Sequence, residues 1–277
     1  MKDSATPNTA KDRLIARLSL EDRVLIAFSG GADSALLAYT ATQVLGRRAL
    51  AVTAVSASLP ASERSAAAEF ARSHGIAHIE VCTNEMSNPD YIANDGDRCF
   101  HCKTALFDAL EPMAALMGAR MALGTNLDDL GDHRPGQAAG RLRGAIAPMV
   151  DAGLSKADVR EISASYGLTT ATKPAAACLS SRIAYGDSVT PAALARIEQA
   201  EESLKRLGFR NFRVRAHADG TLARLEMPHA DMDEAFRSRD EIRAELRSAG
   251  FLFVSLDLGE FRSGAMNVLL PLTAVTR

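Results

Sequence analysis

Residues 23–37 read Arg23-Val24-Leu25-Ile26-Ala27-Phe28-Ser29-Gly30-Gly31-Ala32-Asp33-Ser34-Ala35-Leu36-Leu37. An apolar run of strand length passes through a serine- and glycine-rich turn into an apolar helix, and no residue is spent on a linker. The spacing predicts a buried strand over 23–28 and a helix over 33–45, stopped by Gly46 in the C-cap position. Two glycines let the turn aim its N–H groups at an anion, Ser29 and Ser34 add hydroxyl donors, and the helix contributes its positive end. The loop is therefore read as a phosphate cradle built from Ser29, Gly30, Gly31, Asp33 and Ser34. The plainer reading is a Gly-Gly turn with Asp33 as a helix cap; the position between first strand and first helix favours phosphate. No Gly-Lys-Ser/Thr follows and GxGxxG is absent, so neither a Walker A loop nor the dinucleotide fingerprint is present.

Working outward, the same alternation repeats. Strands are predicted over 49–55, 76–81 and 120–124, and helices over 61–74 and 98–117, which is the pattern of a parallel sheet covered by helices on both faces. The fold class is α/β, an open doubly wound sheet, with ligand sites at the carboxyl ends of its strands. Residues 128–143 are polar and rich in Gly and Arg and are read as a functional loop. A helix follows over 155–166, with Ser155 as N-cap and Asp158 in capping-box position. From 190 the order becomes helix (191–207), a strand pair (212–217 and 221–227) around Asp219-Gly220, helix (231–248) and strand (251–258). That order suits a smaller α+β domain, so the expected division is 1–187 and 188–277.

Composition narrows the function classes. The 277 residues carry 32 Lys+Arg against 34 Asp+Glu, a net charge of -2, so no global field draws nucleic acid or an anionic membrane. No apolar stretch approaches the roughly 20 residues needed to span a bilayer, and the polar start lacks a signal-peptide core. A cytoplasmic protein is expected. Four cysteines are too few to staple a chain of this size. Cys82, Cys99, Cys102 and Cys178 are then thiols or metal ligands, and Cys82, near the end of a strand, is read as a small core residue.

Several separated motifs resemble one family. Ser29-Gly30-Gly31-Ala32-Asp33-Ser34 after a first strand resembles the PP-loop of the ATP pyrophosphatases, a Rossmann-like group that includes NAD synthetase, GMP synthetase and the tRNA thiolases. Gly124-Thr125-Asn126-Leu127-Asp128-Asp129, with Asp132-His133-Arg134-Pro135-Gly136, then Lys173-Pro174, Cys178-Leu179-Ser180-Ser181-Arg182, Phe212-Arg213-Val214-Arg215 and Phe261-Arg262-Ser263-Gly264 are similar to LarE, over residues 20–270. These are the sulfur transferases that build the nickel-pincer nucleotide cofactor of lactate racemase. His133 and Phe261 depart from the tyrosines expected there and Ala184 from a proline, which bears on substrate contacts.

The resemblance implies ATP with magnesium, adenylation of a carboxylate of pyridinium-3,5-biscarboxylic acid mononucleotide, and displacement of AMP by sulfur to leave a thiocarboxylate. Asn126 and Asp128 are the expected nucleotide or magnesium contacts, with turn and capping roles as the alternative. Arg213 and Arg215 lie two apart on a strand, share one face and are read as a clamp for the substrate phosphate. Ser181, Arg182 and Arg134 add donors. Glu201 is a candidate for orienting the sulfur chemistry, against the reading of an ordinary helix-surface glutamate.

The cysteines separate two versions of the sulfur step in that family. In one, Cys178 surrenders its own sulfur. In the other, Cys99, Cys102 and Cys178 hold a [4Fe-4S] cluster whose fourth iron has no protein ligand, resupplied by sulfide or a sulfur-donor protein. Members that use the sacrificial cysteine lack the Cys99-Phe100-His101-Cys102 pair. Cys99 and Cys102 at i and i+3 share one helix face, which suits a cluster; half a zinc site with His101, or a redox dithiol, is the alternative reading of the pair. A tRNA thiolase is the competing enzyme; the near-neutral charge and 5% aromatic content without Trp argue against splayed bases on stacking platforms. An amidating synthetase needs no cysteines for ammonia, and a non-enzymatic nucleotide-binding module has no use for Cys178 beside Arg182. The family also implies a homo-oligomer, a trimer or hexamer.

Overall fold

The computed structural model describes residues 9–131, 135–174, 177–262 and 265–269. In chain order the elements are α1 (Ala10–Ser19), β1 (Val24–Ala27), α2 (Ala32–Leu45), β2 (Ala49–Val55), α3 (Ala61–Ser73), β3 (His78–Cys82), α4 (Pro89–Ala93), α5 (Arg98–Met117), β4 (Arg120–Leu123), α6 (Pro135–Leu142), α7 (Pro148–Asp151), α8 (Lys156–Ser165), α9 (Pro191–Arg206), β5 (Arg213–His217), β6 (Leu222–Glu226), α10 (His229–Arg237), α11 (Arg239–Ser248) and β7 (Phe253–Leu256). They form two compact units. The first takes Met1–Ser56, Ala61–Asn84 and Cys99–Ala176; the second takes Ala57–Pro60, Glu85–Arg98 and Ala177–Arg277. The small domain expected over 188–277 lies inside the second unit, which begins at Ala177 and also recruits two segments from the first half of the chain.

The first unit is a four-stranded parallel sheet in the order β3-β2-β1-β4. Register runs Val24↔Ala49 and Val24↔Arg120 on the two sides of β1, so β1 is central. Its residues alternate between two cores. Val24 and Ile26 pack with Leu14, Leu36, Phe70 and Ile162 from α1, α2, α3 and α8, whereas Leu25 packs with Leu106, Phe107 and Leu110 of α5. This is the α/β, Rossmann-like class that the strand–turn–helix opening predicted. Among the described residues no helix is long and apolar enough to cross a membrane.

The second unit carries a three-stranded sheet in the order β5-β6-β7, with β5 and β6 antiparallel and β6 and β7 parallel. Ala218, Asp219 and Gly220 turn the hairpin, all at positive φ, as the Asp-Gly pair foretold. Helix α9, capped by Thr190, whose Oγ1 accepts from Ala193 N at 3.1 Å, packs on β5 through Leu194, Ile197 and Leu204.

Four expectations change. Helix α1, begun by a Thr9/Asp12 capping box, starts at the end of the polar stretch 1–12 and runs on to Ser19, where no element is predicted. Residues 128–143 are not all loop, because α6 packs there: Ala139 is buried, and a Cβ on Gly140 would come within 2.6 Å of Leu123, so the small residues that suggested a loop permit close packing. The helix expected over 231–248 is two, broken at Ser238, where φ -88 and ψ 16 leave the helical basin and the hydroxyl bonds Glu234 at 3.3 Å. Cys82 is exposed rather than a core residue, since β3 is the sheet edge and is only partly covered.

Candidate functional site

In the first unit the loop after β1 has the geometry of an anion cradle. Gly30 sits at φ 69, and a Cβ there would meet the Ala67 Cβ at 2.9 Å, so both conformation and packing demand glycine. Gly31 is the N-cap of α2 and, lacking a side chain, leaves the first N–H groups of that helix to other acceptors. Ser34 Oγ accepts from Ser29 N at 3.2 Å and lies 3.1 Å from Ser29 Oγ, which closes the turn. Glycine is also needed opposite: a Cβ on Gly124, at the end of β4, would stand 2.8 Å from Ser34 N.

Behind the loop, Asn126 is fully buried and joins β4 to α2. Its Nδ2 donates to Asp33 Oδ1 at 2.9 Å, while its Oδ1 accepts from Asp129 N at 3.2 Å. Burial pushes the Asp33 carboxyl above the usual aspartate range; the Asn126 bond opposes that shift and the Asp129 charge adds to it. Asp128 is exposed and accepts from Lys156 N at 2.5 Å, at the start of α8. Its neighbour Asp129, not singled out from sequence, is the buried carboxylate, with Lys156 Nζ 3.3 Å from its Oδ1. Half-buried Asp33 and buried Asp129 place two carboxylates at this corner, the hard oxygen donors that a divalent cation takes.

Beside Gly30 lies a cleft of about 310 Å³, lined by Ala66 and Phe70 of α3, Thr169, Thr170, Thr172, Lys173 and Pro174. Lys173 Nζ donates to Glu63 Oε2 at 2.6 Å and to the Gly30 carbonyl at 3.0 Å. Neither Glu63 nor Lys173 had an assigned role; the Lys173-Pro174 pair was the only signal, and Glu63 reads from sequence as an ordinary first-turn acid.

The second unit holds the arginine cluster. Arg182 is 4% exposed and Glu201 7%, and they form a two-pronged pair, Nε to Oε1 at 3.0 Å and Nη2 to Oε2 at 3.1 Å. Arg182 Nη1 reaches the carbonyls of Ala177 (2.6 Å) and Cys178 (3.0 Å). Arg182 thus grips the backbone carrying Cys178, and Glu201 is no surface glutamate. Arg215 is buried against Glu226, Nε to Oε2 at 2.8 Å, with Nη1 on the Ser181 carbonyl at 2.9 Å. Arg213, on the same strand, lies over the Phe261 ring at 5.0 Å. Burial, then the charges of Arg182 and Arg215, hold its guanidinium below the usual arginine range.

Cys99 and Cys102 occupy the first turns of α5 in the first unit, Cys99 exposed and Cys102 half-buried; Cys178, half-buried, belongs to the second. Among the described residues no group of three or more His, Cys, Asp or Glu is gathered to hold a metal ion. Three thiolates are nonetheless the soft donor set that iron–sulfur chemistry uses. Arg134 lies outside the described residues.

Residues 11–112 match the asparagine synthase family model. An uncharacterized protein of Synechocystis is 44% identical over 252 residues, 90% of this chain and 93% of its own. The pyridinium-3,5-bisthiocarboxylic acid mononucleotide synthase of Lactiplantibacillus plantarum is 38% identical over 266 residues, 95% of each chain. An uncharacterized protein of Methanocaldococcus jannaschii is 24% identical over 245 residues, 87% of this chain and 91% of its own.

Proposed function

The chain belongs to the family of the pyridinium-3,5-bisthiocarboxylic acid mononucleotide synthase, the LarE sulfur transferases, and we propose that it converts a carboxylate of pyridinium-3,5-biscarboxylic acid mononucleotide into a thiocarboxylate at the expense of ATP. The observation that carries the reading is the glycine-capped start of α2 behind Ser29, Gly30 and Gly31. That cradle receives the β- and γ-phosphates. A carboxylate oxygen of the substrate attacks the α-phosphorus, the bond to the bridging oxygen breaks, and pyrophosphate leaves into a ring of fixed N–H donors and the Ser34 hydroxyl, which stabilise the charge it gains. Lys173 supports the Gly30 side of the loop and, released from Glu63, supplies a cation to the phosphates in the adjoining cleft. Asp33 and Asp129 are the carboxylates we assign to the magnesium that arrives with ATP, Asn126 orients Asp33, and Asp128 fixes the start of α8.

Adenylation turns a poor leaving group into AMP, and a sulfur nucleophile then attacks the acyl carbon and expels it. Cys99, Cys102 and Cys178 would hold the [4Fe-4S] cluster, which when bound offers an iron position for the sulfide that a sulfide source or sulfur-donor protein supplies. Arg213 takes the substrate phosphate, assisted by Ser181 and by the positive field of Arg182 and Arg215. Arg134 remains a candidate donor to the same substrate. In this reading the first unit uses ATP, the second binds substrate and supports assembly into a trimer or hexamer, and the protein works in the cytoplasm.

Anaerobic purification with iron, sulfide and zinc analysis, followed by counting AMP, pyrophosphate and thiocarboxylate, tests this. Iron with repeated turnovers supports the reading. One thiocarboxylate per chain with dehydroalanine at 178 replaces the cluster by the sacrificial route, and pyrophosphate release stimulated by tRNA instead of the pyridinium mononucleotide overturns the substrate.

A further inference from the structure

The loop that carries Cys178 is fastened from below by a segment that comes from the first half of the chain. Leu179 N donates to the Ser58 carbonyl at 2.8 Å. Ser180 Oγ and Tyr91 OH share a 2.6 Å hydrogen bond, with Ser180 and Tyr91 both essentially inaccessible to solvent. Three residues past Tyr91, Asn94 is fully buried at φ 59, the left-handed cap of α4. Its Nδ2 donates to the carbonyls of Ala184 (2.7 Å) and Asp187 (2.9 Å), and Arg98 Nη1 donates to its Oδ1. Val189 N reaches back to the Ile92 carbonyl at 2.9 Å. Four of these bonds tie residues 85–98 to 179–189.

Polar networks of this kind specify one arrangement, because each buried donor and acceptor is satisfied in only that register. Resting on the sulfur-transfer reading above, we propose that Tyr91 and Asn94 are positioning residues for Cys178: they fix the backbone after the thiol, as Arg182 fixes the carbonyls before it, so that sulfur delivery depends on them and ATP activation does not. Neither side chain belongs to the phosphate cradle, and the Tyr91 hydroxyl that bonds Ser180 can be removed while the ring stays in place.

The test uses Tyr91→Phe, Ser180→Ala and their double variant, with Asn94→Gly as a second probe that retains left-handed freedom at 94. Four quantities are read in samples matched for iron: melting midpoint, AMP and pyrophosphate formation, thiocarboxylate formation, and the rate of iodoacetamide alkylation of Cys178 relative to exposed Cys82 by peptide mass spectrometry. We expect thiocarboxylate formation, and the AMP expelled with it, to fall about tenfold or more, the cost of a misplaced reacting group, with single-turnover pyrophosphate release within about twofold of wild type, a shifted Cys178/Cys82 alkylation ratio, and no further loss in the double variant. Equal loss of both half-reactions, or an unchanged alkylation ratio, overturns the proposal. Should the wild type make no AMP with the pyridinium mononucleotide, the functional reading fails by itself, and the alkylation ratio still decides whether Tyr91 and Asn94 set the state of Cys178.

Discussion

Arg182 and Glu201, 19 residues apart, meet as a buried two-pronged ion pair whose remaining donor holds the Cys178 carbonyl and whose remaining acceptor capacity takes Val214 N at 3.1 Å. One pair therefore joins the Cys178 loop, helix α9 and strand β5. A buried pair is weak grounds for stability in itself, but breaking it strands a charge.

Glu201→Ala is expected to destabilise the second unit by about 3–5 kcal/mol, since Arg182 is left charged and unpaired in a dry site. Urea denaturation measures this. Replacing both partners, as Arg182→Met with Glu201→Leu, should restore most of the stability without restoring sulfur transfer; recovery of transfer in the double variant would show that the pair has no role beyond packing.

Gly30→Ala should abolish AMP formation and cost roughly 1–3 kcal/mol, because the added methyl meets Ala67 and the backbone is held at positive φ. Gly46→Ala, also at positive φ but with open space around it, controls for strain alone and should leave activity intact.

Asp33 has its pKa raised by burial, so the folded state binds its proton more tightly than the unfolded chain does. Its contribution favours folding below the ordinary aspartate pKa and is lost as pH rises from there through the raised folded value. Asp33→Asn should therefore stabilise the protein at pH 7 and change little at low pH, while removing ATP-dependent AMP formation. Thermal melts across pH settle the first part; a variant less stable than wild type at pH 7 contradicts it.

Lys173→Met should raise the KM for ATP about tenfold, the scale of one lost charge-assisted hydrogen bond. Glu63→Gln releases the same ammonium from its 2.6 Å partner and should lower the KM or leave it unchanged. A higher KM in both variants would make the pair a structural brace for the loop.

Much of the first unit was legible in sequence. β2 and α5 fall on their expected bounds, β1 and α2 within two residues of theirs, and the cradle residues stand where the Gly-Gly turn put them, because parallel strands buried on both faces write continuous apolar runs and glycines mark the turns between. The family likewise was legible from separated motifs, each local and each with its own chemistry. Asp129, Glu63 and the true place of Glu201 were not. A carboxylate on a helix or turn looks the same in sequence whether it faces water or a guanidinium, and nothing local distinguishes Asp128, which is exposed, from Asp129, which is buried.

Local sequence was enough for the α/β order, the glycine- and serine-rich loop between β1 and α2 and the set of cysteines, since each depends on neighbours within a few positions. Tertiary structure alone decided which charges are paired. Arg182 and Arg215 are committed to Glu201 and Glu226, and a segment from before α5 became the seat of the Cys178 loop. Ion pairs and buried hydrogen bonds join residues tens of positions apart, and the desolvation that makes those partners obligatory exists only once the chain has folded around them.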